Sequence, residues 1–200
     1  MSFHPVIRLP SKYEIFDFSE SYDPNRLRGL YGVGKYNEDR RGMYTTELFS
    51  PGSDDARTIH MGVDIGAPVG TEVYAFDDGV IFMTALNPAD GDYGGTLITE
   101  HALEGRKVWA LHGHLSHAST SKWRGGEKFA KGDVLGWIGD EKENGGWNPH
   151  LHFQLSWNQP QTCDLPGVVS ARDREQALRE FPDPRLVLGP LYSDAAAAVT

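Results

Sequence analysis

The sequence predicts a mainly β protein: a small antiparallel β-sheet sandwich or partly closed barrel, with an irregular N-terminal extension and a short C-terminal helix. Three observations predict it. Six short stretches rich in β-branched, aromatic and aliphatic residues follow one another between residues 71 and 157. Turn formers are frequent, with 23 Gly and 12 Pro in 200 residues, which suits short strands joined by tight turns. After Ser170 the pattern changes to that of a helix start. The length alone gives a prior of one domain.

Taken in order, residues 1–42 are mixed and charged, with a turn at Asp23-Pro24-Asn25 and glycines at 29, 32 and 34. They read as an irregular extension. Residues 43–165 hold the strands. Thr71–Phe76 and Val80–Thr84 flank Asp77-Asp78-Gly79 and read as a hairpin, because Asp-Gly supplies the positive φ of a tight turn. Thr96–Glu100 and Lys107–Leu111 read as a second pair around Glu104-Gly105-Arg106. Val134–Ile138 and Leu151–Trp157 complete the set. Residues 166–200 form a C-terminal helix and tail. Ser170-Ala171-Arg172-Asp173 resembles a capping box, the helix runs to about Glu180, and Pro182 and Pro184 end it. Residues 191–200 are expected to fray.

Charge and composition exclude several roles. Nineteen basic against 28 acidic residues leave a net charge of −9, so no basic excess exists to release counterions from nucleic acid. The single cysteine, Cys163, allows no internal disulfide and no Cys-rich zinc module. No apolar run approaches the roughly 18–20 residues of a membrane helix. The N-terminus lacks a signal-peptide pattern, so the expected compartment is the cytoplasm, with the envelope or periplasm reached only by another export route. Oligomeric state is not legible.

Eight histidines are unevenly spread. His60 and Asp64 are four apart, His112 and His114 two apart, and His150 and His152 two apart. On a strand, residues two apart share a face. His150 and His152 would then face one site, with Leu151 and Phe153 behind, and His112 and His114 would share a face likewise. His60 and Asp64 need a bend to meet at one ion, which Gly62 permits. Two His and a carboxylate would meet the ligand count of a catalytic zinc, which leaves a fourth position for water. Such a water becomes nucleophilic near neutrality. No His-Glu-x-x-His motif is present, so other histidines are the candidates for proton transfer and oxyanion stabilisation. His4 and His117 read as ordinary histidines.

The motifs carry a resemblance. His60–Ala75 with Gly79-Val80-Ile81, Gly113-His114-Leu115-Ser116, Lys131–Gly139 and Pro149–Leu155 resemble, in order, the motifs of the lysostaphin-type zinc metalloendopeptidases. The similarity spans about residues 58–157. Similar domains also occur fused to class III aminotransferases. The resemblance implies the small antiparallel β fold of that family (the duplicated hybrid motif), with residues 43–165 as the catalytic domain. It implies His60, Asp64 and His152 as zinc ligands and His114 and His150 as the catalytic histidines. Asp92-Tyr93-Gly94-Gly95 and His101 match positions of structural use. Two departures are His112, where many members have Tyr, and Gln154, where many have Glu. His112, expected on the same face as His114, is a candidate for a role behind the ligands or at the substrate. One zinc ion is the implied cofactor, with manganese or cobalt also compatible with such donors. The implied function is hydrolysis of peptide bonds in peptidoglycan cross-links or related small peptides. The alternatives are a cytoplasmic metal-dependent amide hydrolase acting on a small metabolite, and a non-catalytic peptide-binding module.

Overall fold

The computed structural model describes residues 2–27 and 29–193. In chain order the elements are β1 (Glu14–Ile15), α1 (Pro24–Leu27), β2 (Gly32–Gly34), β3 (Arg57–His60), β4 (Val63–Gly66), β5 (Glu72–Tyr74), β6 (Gly79–Asn87), β7 (Gly94–Leu103), β8 (Arg106–Leu115), α2 (His117–Lys122), β9 (Lys128–Phe129), β10 (Val134–Trp137), β11 (His150–Ser156), β12 (Val168–Ser170), α3 (Arg174–Glu180) and α4 (Arg185–Leu188). Eight strands form one sheet in the order β1-β2-β4-β11-β8-β7-β6-β9. Only β1–β2 is parallel. The order ends on β1 and β9, so the sheet is open and not a closed barrel. Two ribbons, β5–β10 and β3–β12, complete the strand set.

Period-two alternation explains the layers. One face of the sheet presents Val63, Ile65, Leu97, Ala110, Leu151 and Phe153, and packs against Val73 and Leu135 of the β5–β10 ribbon. The opposite face presents Ile98, Trp109 and Leu111. These meet Ile59 of β3, Val169 of β12, and Ala177 and Phe181 at the α3 end of the chain. On β4 and β11 that second face carries Asp64, His150, His152 and Gln154 instead of apolar residues. The site therefore lies where the second core gives way to polar side chains.

The β7–β8 hairpin forms as expected and is longer than the motifs suggested. Its two turn residues, Glu104 and Gly105, have φ of 51° and 80°, the pattern of a two-residue type I′ turn. The other expected hairpin does not form. β5 pairs with β10, while β6 pairs with β7 and β9. Asp77-Asp78-Gly79 is a corner between sheets. Gly79 is required there for space rather than for positive φ: a Cβ would lie 2.7 Å from the Glu100 carbonyl oxygen.

The C-terminal helix starts later than expected, at Arg174. The Ser170 hydroxyl donates to Asp173 Oδ2 at 2.7 Å and accepts from the Asp173 amide at 3.3 Å. This reciprocal pair closes the turn before the helix instead of its first turn. Pro184 then opens α4, which the sequence reading lacked. Leu191 and Tyr192 are docked, not frayed. The Leu191 carbonyl accepts from Tyr13 Oη, and Tyr192 Oη accepts from the Tyr36 amide. The rest of the expected frayed tail, residues 194–200, lies outside the described residues.

Candidate metal centre

Three elements bring His60, Asp64 and His152 together. The chain bends after β3 and re-enters the main sheet as β4, so His60 and Asp64 face each other across Met61-Gly62. Strand β11 pairs His152 directly with Asp64. Gly62 does more than bend: a Cβ there would lie 2.5 Å from His152 Cε1, so any side chain would displace the imidazole. His60 Nε2 lies 3.0 Å from His152 Nδ1 and 3.2 Å from Asp64 Oδ1, and His152 Nδ1 lies 3.1 Å from Asp64 Oδ1. All three residues are buried. They are the one such converging group of His, Cys, Asp and Glu among the described residues.

Hydrogen bonds behind the ligands set the tautomers. His60 Nδ1 is 3.0 Å from the Lys35 carbonyl, so its proton sits there and Nε2 carries a lone pair. His152 Nε2 is 3.0 Å from Gln154 Oε1, so its Nδ1 carries a lone pair. Gln154 Nε2 donates to the Pro166 carbonyl at 3.3 Å, which fixes the amide orientation. Two imidazole lone pairs and a carboxylate oxygen thus converge with no proton between them. Such an arrangement calls for a cation. Zinc with bonds of about 2.0–2.1 Å has tetrahedral ligand–ligand edges of about 3.3–3.4 Å, slightly longer than the distances here. The donor set and its outer hydrogen bonds fit zinc.

Arg40 holds the other Asp64 oxygen. Its Nη1 donates to Asp64 Oδ2 at 2.6 Å, and its Nε donates to Glu38 Oε2 at 2.8 Å. Burial opposes ionisation of Asp64, but the neighbouring His60 and the Arg40 guanidinium hold its carboxyl well below the usual range. Burial, aided by the Arg40 charge, pushes His60 down to about 4. Asp64 is therefore ionised and His60 neutral at neutral pH, the forms in which each could hold a metal.

His150, on the same strand as His152, and His114, on the neighbouring β8, face this cluster with ring centroids 4.3 Å apart. The Nδ1 of His114 is 2.8 Å from the Asn144 carbonyl, and that of His150 is 2.6 Å from the Asn148 carbonyl. Each ring is thereby protonated at Nδ1 and leaves Nε2 as an acceptor. His150 Nε2 lies 3.8 Å from Asp64 Oδ1. Burial lowers both histidines, and the neighbouring His150 and His152 rings lower His114 further. Tyr93 supports the group: its ring lies 5.1 Å from that of His152, its carbonyl accepts from the His114 amide, and its hydroxyl donates to the Leu165 carbonyl.

His112 and His114 do not share a face. His114 has φ of 64°, and the β7–β8 register shifts there, with Gly95 opposite Leu115 but Leu97 opposite His112. This bulge rotates His114 toward the ligands. It leaves His112 in the core on the far side of the sheet, 5.2 Å from the Phe153 ring. Both His112 ring nitrogens are buried and lack a well-formed hydrogen bond, with the backbone of Leu97 and Ala110 as polar neighbours. That placement does not match a role behind the ligands or at the substrate.

Burial pushes His112 to about 3 and His101 to about 4. His101 packs on Phe76 and bonds Thr99 and the Asp78 carbonyl, as a structural residue does. Unfolded imidazoles titrate near 6.5, so from there down toward pH 4 the unfolded chain binds more protons and the fold loses stability as pH falls. We expect His112→Leu to flatten this acid limb in urea melts, to stabilise the fold at neutral pH by about 1 kcal/mol, and to leave metal content unchanged. An unaltered acid limb would contradict the assignment.

The ligands open into a cleft of about 280 Å³. Tyr44, Phe49 and Trp147 line it, as do residues of the 162–168 segment, with Arg57, Asp92 and Asp164 also in the lining. The aromatic residues belong to a third apolar cluster with Phe16, Phe18 and Met43. Cys163 is not among the lining residues, and burial raises its thiol to about 12, which disfavours a nucleophilic role. His4 and His117 are remote: His4 packs on Tyr74, and His117 is an exposed residue of α2. Sequence reasoning missed Lys35, Glu38 and Arg40, because nothing local in residues 35–40 marks them as neighbours of Asp64. Gln154, by sequence only a departure from the family pattern, is the hydrogen-bond partner of His152 Nε2.

The chain is similar to several known proteins over about half its length. "Peptidoglycan DD-endopeptidase ShyA" of Vibrio cholerae is 34% identical over 96 residues, 48% of this chain and 20% of that protein. "DD-carboxypeptidase/endopeptidase Mpg" of Neisseria meningitidis is 36% identical over 102 residues, 50% of this chain and 20% of that protein. The match thus spans about a fifth of the length of these relatives. Among solved structures, the catalytic domain of lysostaphin from Staphylococcus simulans aligns at 24% identity with a TM-score of 0.41, over 55% of this chain and 77% of that one. A zinc-containing peptidase from Vibrio cholerae aligns at 25% identity with a TM-score of 0.40, over 49% of this chain and 27% of that one. The profile described as "Peptidase family M23" matches residues 58–164, a span that holds all five clustered histidine and aspartate residues, and the chain belongs to that family.

Proposed function

We propose that the protein is a zinc metalloendopeptidase that cleaves peptide bonds in peptidoglycan cross-links or closely related small peptides. One observation carries the reading: three metal-competent lone pairs meet within 3.2 Å, beside two further imidazoles whose Nε2 atoms are unprotonated. The relative named as a peptidoglycan DD-endopeptidase supports the substrate class, and the one named as a DD-carboxypeptidase/endopeptidase supports the reaction class.

His60 Nε2, His152 Nδ1 and Asp64 Oδ1 would hold the zinc. When bound, it supplies a Lewis acid that activates a water and polarises the scissile carbonyl. His150 Nε2, 3.8 Å from Asp64 Oδ1, is the acceptor for the proton of the attacking water. His114, whose ring lies beside that of His150, receives that proton and so becomes the donor that would face the carbonyl oxygen and the departing amine. With rings 4.3 Å apart, two imidazolium charges would repel, so the pair works with one proton at a time. That proton is taken from the water as the new C–O bond forms and delivered to the amine as the C–N bond breaks. The depressed basicity of both rings keeps them neutral, and so ready to accept, at pH 7. The cleft volume sits at the lower edge of ordinary ligand sites, which favours short or small side chains on the substrate.

The test is digestion of purified peptidoglycan by the zinc-loaded protein, with released fragments identified by mass spectrometry. Conversion of cross-linked dimers to monomers, stopped by a chelator, is expected. Intact cross-links together with turnover of small acyl amides would overturn the reading in favour of a metabolite amidase. Peptide binding without turnover would favour a binding module.

A further inference from the structure

We infer that Arg40 is the positioning residue for Asp64, and that residues 35–40, which precede the family match at 58–164, form a working part of the metal centre. The inference rests on the reading of His60, Asp64 and His152 as metal ligands. Arg40 is among the largest wholly buried side chains, an unusual place for a guanidinium. Its Nε donates to Glu38 Oε2 at 2.8 Å. Its Nη1 donates to Asp64 Oδ2 at 2.6 Å and to Tyr44 Oη at 3.2 Å, and its Nη2 donates to the Lys35 carbonyl at 3.1 Å. The Phe18 ring packs on the guanidinium carbon at 4.8 Å.

The consequence falls on Asp64. A free carboxylate rotates and can offer a metal either oxygen or both. Here Oδ2 is engaged by Arg40, and Oδ1 alone faces the two imidazoles. Backbone pairing of Gly34 with Asp64 fixes the same residue from the main chain. Gly34 is needed for the arrangement, because a Cβ there would lie 2.8 Å from Arg40 Nη2. The same segment holds the first ligand as well, through the Lys35 carbonyl on His60 Nδ1. Glu38 balances the Arg40 charge and is itself fixed, accepting from the Phe18 amide at 3.2 Å. A buried ion pair kept only for stability could be replaced by apolar side chains at little cost. Aiming one oxygen of a ligand is a task that such a replacement cannot perform.

The test compares the full chain with Arg40→Lys and with the double variant Arg40→Met/Glu38→Gln, which keeps the local net charge. Zinc dissociation constants are measured by competition with a chromophoric chelator, and the cobalt(II) visible spectrum reports ligand geometry. Both variants are expected to bind zinc about 10–100-fold more weakly, with an altered cobalt spectrum and apo-protein melts that still show a folded chain. Zinc affinity within about twofold of the parent and an unchanged cobalt spectrum in a folded variant would overturn the inference. If the double variant does not fold, Arg40→Lys, which keeps the cation, decides by the same two readouts. A parent chain that itself binds no zinc would instead overturn the reading of the ligands.

Discussion

His152→Ala is expected to remove metal binding and peptidase activity together. In the proposed site His152 gives one of three ligand atoms, and its Nδ1 is the one of the three within 3.1 Å of both others. Structural zinc sites bind with about 10–16 kcal/mol shared among four ligands, so one ligand is worth about 2.5–4 kcal/mol and its loss about 10²–10³-fold in affinity. Activity should fall to background at micromolar zinc. The fold should survive in the apo form, because Leu151 and Phe153 on the same strand still fill the core on the other face. Metal analysis after dialysis, with circular dichroism as the control for folding, checks this. A folded variant that retains one tightly held zinc would contradict the ligand assignment.

His114→Ala is expected to separate the two properties. The His114 ring stacks near His150, and its Nδ1 is tied to the Asn144 carbonyl; it is not one of the converging ligand atoms. Zinc content should therefore stay at the parental value. The turnover number should fall about 10²–10⁴-fold, the usual contribution of a positioned acid–base group, with a smaller change in KM. Alanine keeps the Cβ that the left-handed backbone at this position already accommodates, with φ of 64°, so the variant adds no bulk there. Full activity would remove His114 from the mechanism. Loss of zinc would place it in the metal shell.

Much of this site was legible in the sequence because the relevant geometry is local. Leu151 and Phe153 alternate with His150 and His152, and a period of two leaves no choice about which pair faces the site. The Glu104-Gly105 turn was equally local. What failed was non-local. Asp77-Asp78-Gly79 carries a turn signal, but β5 finds its partner in β10, about sixty residues on, and Gly79 serves a close approach to Glu100. His112 and His114 follow the same alternation rule on paper, and one left-handed residue in a bulge overrides it. His60 and Asp64 needed a bend that the sequence allowed without giving its direction. Arg40 and Glu38 reach Asp64 only through the placement of β2 beside β4, which no local pattern in residues 32–40 announces.

The central claim is a zinc held by His60, Asp64 and His152, with His114 and His150 outside its shell. X-ray absorption at the zinc edge of the loaded protein tests it most directly. The expected shell holds two imidazoles, with oxygen donors completing it at about 2.0–2.2 Å. A shell of three or four imidazoles would draw His114 or His150 into the metal's coordination and contradict the account.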